Sequence, residues 1–198
     1  MRIGIDFDNT IAHYDAAFKT RGTARGWLRE DFSGDKRAVR TAIRRLPDGE
    51  IKWQTLQADV YGRFIGLAVA MRGFEAFLVT CRIAGAAVSI VSHKTQYAMR
   101  DHETDLRAAA LGWLDGGGFF DSETGISRTD VHFENTLTEK VARIAALGCT
   151  HFVDDMEEIF LHPDFPNSTR RILLGAGPSH ESWQVCPDWI SVSNAIFH

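Results

Sequence analysis

Five short strand-like runs, separated by stretches of helical spacing, leave this chain of 198 residues few ways to fold. They cover residues 3–7, 87–91, 131–133, 151–153 and 171–174. The first lacks polar alternation, as a strand buried on both faces of a parallel sheet does. Helical spacing recurs between the runs. Phe74, Phe77 and Leu78 share one face of a short helix that Gly85 closes. A longer helical region is predicted over 97–114, ended by Asp115-Gly116-Gly117-Gly118, and another over 138–147 with Gly148 as its stop. Residues 156–161 read as a helical turn, and Gly175-Ala176-Gly177-Pro178 ends the fifth run. Trp189-Ile190 and the tail are candidates for one more element. Strands alternating with helices point to an α/β protein with a parallel sheet covered on both faces. In such sheets ligands gather at the carboxyl ends of the strands. What each run ends in therefore matters most.

The first run ends in Asp6-Phe7-Asp8, followed by Asn9 and Thr10. In a strand, residues i and i+2 share a face, so Asp6 and Asp8 can face one cleft while Phe7 packs on the other side. Two carboxylates so close repel unless a cation lies between them or one is protonated. Ser92-His93-Lys94 follows the second run, and Asp154-Asp155 follows the fourth. Lys140 lies in the first turn of the helix after the third. Each has a bland reading. Ser92 and the Asp154-Asp155 pair suit helix caps, and Lys140 suits a solvated helix face. Asp6 resists one, because an unpaired carboxylate inside an apolar run is costly.

Between the first two runs the character changes. Residues 15–72 carry helical spacing over 38–46 and 55–71, with Pro47-Asp48-Gly49 as a turn between them. Residues 15–74 hold twelve Lys/Arg against seven Asp/Glu, a net +5, which leaves −9 elsewhere. The whole chain is at −4, which gives no general pull toward nucleic acid or anionic membrane. No uncharged stretch approaches the ~20 residues of a membrane span. Without a secretory signal, and with Cys81, Cys149 and Cys186 scattered and odd in number, the chain is expected to be cytoplasmic with buried free thiols.

These motifs, in this order, resemble those of the haloacid dehalogenase superfamily, specifically its magnesium-dependent phosphatases. The first motif there is an apolar strand with Asp-x-Asp-x-Thr, here Asp6-Phe7-Asp8-Asn9-Thr10; the second is Ser92; the third is best matched by Lys140, with Lys94 and Arg128 as competitors; the fourth is Asp154-Asp155. The resemblance covers residues 1–174. It implies a Rossmann-like three-layer α/β/α core (1–14 plus 73–198) with a small helical cap (15–72) inserted after the first strand. It implies a Mg²⁺-dependent hydrolase that cleaves a phosphomonoester of a small metabolite through an aspartyl-phosphate. Asp6 would be the nucleophile and Asp8 the acid and base. Asp6, Asp154, Asp155 and the main-chain carbonyl of Asp8 would hold Mg²⁺, with either Asp154 or Asp155 as the direct ligand. Phe7, Asn9, Thr10, Ser92, His93 and Lys140 would surround the phosphoryl group. A phosphomutase of a sugar phosphate, or a weakly active phosphate-binding regulatory module, are the alternatives. Neither a membrane nor a nucleic acid is an expected partner.

Overall fold

The computed structural model describes residues 1–121, 126–177 and 180–198. The chain forms two compact units. One comprises Met1–Ala12, Ala70–Lys94 and Leu114–His198; the other comprises His13–Val69 and Thr95–Trp113.

The larger unit is built on strands β1 (Arg2–Ile5), β4 (Ala87–His93), β7 (Val131–Glu134), β8 (His151–Asp154), β9 (Arg170–Leu174) and β10 (Gln184–Cys186). All pair in parallel, in the order β10-β9-β8-β1-β4-β7. The first strand of the chain is therefore central. Ile3 and Ile5 pair with Val88 and Ile90 on one side and with His151 and Val153 on the other. Both isoleucines are fully buried, which is why that run carries no polar alternation. On one face, Val91, Phe152 and Leu173 of the sheet pack with Val141 and Ile144 of α6 (Leu137–Ala146) and with Phe160 and Phe165. On the other lie α4 (Phe74–Ile83) and α7 (Trp189–Phe197), joined by Trp189 against Phe74 and Phe77 at ring distances of 4.9 and 4.7 Å. The expected three-layer α/β/α architecture is thus present. Strand β10 and the extent of α7 go beyond the sequence reading. Pro178 lies outside the described residues.

The smaller unit contains α1 (Asp15–Ala24), α2 (Lys36–Arg44), α3 (Gly49–Tyr61), part of α5 (Leu106–Gly116) and the hairpin β5 (Tyr97–Ala98) and β6 (Asp101–Asp105). The chain passes between the units at β2 (Ala12–His13) and β3 (Val69–Ala70), which pair with each other. Phe18 stacks on Trp53 at 5.0 Å and meets Tyr14 and Tyr61 edge-on, forming an aromatic centre. Asp35 caps α2 by accepting from the Ala38 N–H at 2.8 Å.

Three expectations need correction here. The helix expected over 55–71 lies instead at Gly49–Tyr61, and Val69–Ala70 is a strand. The helix expected over 97–114 begins only at Leu106; before it the chain forms the antiparallel β5–β6 hairpin. Asp101 holds the turn, accepting from the Glu103 and Thr104 N–H groups, and such local bonds compete with helix. The hairpin and the start of α5 also belong to the smaller unit, because Ala98 and Leu106 bury against Ala58 and Tyr61 of α3. That unit is therefore not purely helical and is not one continuous insertion. Among the described residues no helix is long and apolar enough to cross a membrane.

Candidate active site

The tight turn after β1 starts the site. The Asp6 N–H donates to the Val153 carbonyl at 2.9 Å, so Asp6 is pinned where β1 and β8 end side by side. Beyond it, Asn9 adopts a left-handed conformation (φ 58°), which asparagine tolerates better than most residues. The N–H groups of Ile11 and Ala12 then close back onto the Phe7 carbonyl. Phe7 is fully buried and meets Phe133 of β7 edge-on at 6.3 Å. Asp6 and Asp8 fall on the opposite side of the alternation.

Lys140 arrives from α6. A capping box fixes the start of that helix: Thr136 Oγ1 accepts from the Glu139 N–H at 3.1 Å, and Glu139 accepts from the Thr136 N–H at 3.1 Å. Lys140, one residue further on, is buried. Its Nζ donates to Asp6 Oδ1 at 2.7 Å and to Asp154 Oδ2 at 2.6 Å. Asp154 ends β8, and its other oxygen accepts from the Met156 N–H at 3.0 Å. Burial would lower the Lys140 ammonium, but the Asp154 and Asp6 carboxylates outweigh it and hold the group above the usual lysine range. The same burial pushes the Asp154 carboxyl up to about 6, against the pull of Lys140 and with the Asp6 charge adding to the rise. One lysine does not neutralise two buried carboxylates.

Asp155 adds a third acidic group. Oxygens of Asp6, Asp154 and Asp155 all lie within 4.8 Å of one another. Three hard oxygen donors with residual negative charge suit a cation such as Mg²⁺ or Ca²⁺. These residues fit the metal that the sequence resemblance implies.

The other expected residues divide. Ser92 is buried within β4 rather than following it. His93 is exposed, and its Nε2 donates to the Asn135 carbonyl at 2.9 Å. Thr10 is fully buried; its carbonyl accepts from Trp189 Nε1 at 3.0 Å, while its hydroxyl has no partner among the described residues. Arg128 pairs with Asp115 on the surface and is not part of this cluster. Lys94 is a different case. It is buried and donates to both oxygens of Asp8, at 2.8 and 3.1 Å. Its sequence signal was its spacing. Ser92 and Lys94 repeat, on the neighbouring parallel strand, the i, i+2 relation of Asp6 and Asp8.

No family model and no curated protein matches the chain in sequence. Solved structures match it in fold. A hydrolase of the haloacid dehalogenase superfamily, subfamily IA, from Geobacter sulfurreducens superposes with a TM-score of 0.59 at 13% identity, covering 98% of this chain and 95% of that one. A phosphoserine phosphohydrolase-like protein from Francisella tularensis gives 0.58 at 12% identity, with 99% of each chain covered. A variant of CbbY from Rhodobacter sphaeroides, solved with xylulose-(1,5)bisphosphate, gives 0.51 at 14% identity, covering 95% and 94%. The chain has the fold of the haloacid dehalogenase superfamily.

Proposed function

We propose that this protein is a Mg²⁺-dependent phosphomonoesterase of small phosphorylated metabolites, working through an aspartyl-phosphate on Asp6. The observation that carries this reading is the buried Lys140 held between Asp6 and Asp154, beside Asp155. A carboxylate fixed beside a permanent positive charge is ready to approach an anionic phosphoryl group. An Asp6 oxygen bonds to phosphorus as the ester P–O bond breaks, and the leaving oxygen takes a proton from Asp8. Water then attacks the phosphorus, Asp8 accepts its proton, and Asp6 is released with free phosphate. The Ser92 hydroxyl and backbone N–H groups after Asp6 bind the phosphoryl oxygens. Asp6, Asp154, Asp155 and the Asp8 carbonyl would hold Mg²⁺, whose charge lets carboxylate and phosphate meet.

The smaller unit enters the chain directly after the first motif, and we assign it the role of a substrate-selecting cap. Its basic excess is partly internal to that unit. Arg21 and Arg25 both bond Asp59, and Arg44 pairs with Glu50. This weakens the case for a broad anion-attracting surface.

Purified protein with Mg²⁺ should release phosphate from p-nitrophenyl phosphate, and EDTA or Asp6→Asn should reduce the rate to background. A rate untouched by either change would sink the mechanism. A panel of sugar phosphates, sugar bisphosphates, nucleotides and phosphorylated amino acids then ranks substrates by kcat/KM. Interconversion of a sugar phosphate without phosphate release would make the protein a mutase instead.

A further inference from the structure

We propose that Lys94 is a positioning residue that fixes the Asp8 carboxylate for proton transfer; this rests on the reading of Asp8 as acid and base. The two lysines at the strand ends divide between the two carboxylates of the first motif. Lys140 bonds Asp6, while Lys94, 86 residues from Asp8 in sequence, bonds Asp8. The Lys94 side chain is only 3% exposed, against 23% for Asp8. Burying an ammonium is costly unless a counter-charge meets it, so a lysine this deep needs that partner.

Lys94 is itself held firmly. Its N–H donates to the Glu134 carbonyl at 2.9 Å, extending the β4–β7 ladder by one bond, and its ammonium faces the buried Phe7 ring at 5.5 Å. The anchor is thus rigid while the carboxylate it grips is partly open to solvent. Two bonds from one ammonium favour a single orientation of the ionised Asp8, the form that takes the proton of the attacking water; when Asp8 carries that proton, its other oxygen can still accept from Lys94. Proton transfer demands hydrogen-bond reach to the leaving oxygen, and a displacement of about 1 Å is enough to cost two orders of magnitude in rate. Both side-chain bonds of Lys94 to a carboxylate run to Asp8, so the proposal places its effect on turnover through Asp8.

The test is a double-mutant cycle with Lys94→Met, which keeps most of the apolar stem, and Asp8→Asn. With an alkyl phosphate, Lys94→Met should lower kcat about tenfold or more and leave KM within about twofold. Lys94→Arg should recover part of that loss. In the Asp8→Asn background, Lys94→Met should lower kcat no further. An equal loss on top of Asp8→Asn, or a loss confined to KM, overturns the proposal. Thermal unfolding gives a second measurement that needs no activity. The Tm losses of the two single variants should exceed that of the double variant in sum, and strict additivity overturns the pairing. Asp6→Asn keeps the two readings apart. Turnover surviving that change defeats the proposed reaction while the Tm cycle still decides on the Lys94–Asp8 pair.

Discussion

Lys140 lies within hydrogen-bond distance of two carboxylates, and the arithmetic of charge leaves one negative charge over. Burial and the Asp6 charge lift the Asp154 carboxyl to about 6 from an ordinary 3.8, so at neutral pH the metal-free protein holds an ionised group that it disfavours. The sign follows. The folded chain binds this proton more tightly than the unfolded chain does. The resulting stabilisation is complete below about pH 4 and is lost as pH rises through about 6. A bound cation acts in the opposite sense, since it needs the carboxylate deprotonated. Added Mg²⁺ should therefore raise Tm more at pH 7.5 than at pH 5. A gain independent of pH would show that Asp154 is not at the metal. Much of this site was legible in the sequence. Asp6, Lys140, Asp154 and Asp155 each sit at a strand end or helix start, and chemistry limits what such residues do there. Lys94 was legible only as a rival to Lys140. The motif pattern asks for one lysine, whereas the two carboxylates of the first motif each meet their own.

At the level of elements, the strands that stood out were the buried ones. Strands β1, β4, β8 and β9 carry apolar runs because both faces are covered. Strand β10, with three residues at the sheet edge, offers no such run. Helix α1 has no apolar stripe to announce it, since Lys19, Thr20, Arg21, Gly22 and Thr23 follow Phe18, its one large buried side chain. The β5–β6 hairpin carries no strand signal in its sequence, because it is polar and its packing depends on distant α3. Gly62 makes that dependence concrete. A Cβ placed there would collide with the Thr104 side chain of β6 and lie 2.7 Å from the Ala58 carbonyl. Gly62→Val should therefore destabilise the smaller unit by about 1–3 kcal/mol through overpacking. Hydrogen exchange would show the loss as faster exchange over α3 and β6, with β1 and β8 unchanged. Equal loosening of both units would argue against separate cores.

At the level of the molecule, the cysteines offer a probe of the larger unit. Cys81, Cys149 and Cys186 are all buried and unpaired, as expected from their spacing. They come from α4, the turn before β8, and β10. Burial pushes the Cys81 and Cys149 thiols up to about 12 and about 11, so at neutral pH they are protonated as well as shielded. A thiol reagent at pH 8 should label none of the three until the larger unit unfolds, and all three with one rate constant when it does. Rapid labelling of one cysteine in the native protein would contradict its burial.

The central position of β1 also bears on how the chain reaches this state. Its neighbours, β4 and β8, are encoded far downstream, and 134 residues separate Asp6 from Lys140. A ribosome adding about 5–20 residues per second needs on the order of ten seconds to cover that interval. Strand β4 can cover one edge of β1 as soon as it is made, but the edge that β8 covers stays open for the whole interval. The strand that carries Asp6 is thus made first and covered on its second edge only late, and exposed unpaired strands are where aggregation begins. Mutations that slow β8 would cost yield in the cell before they cost stability in the test tube.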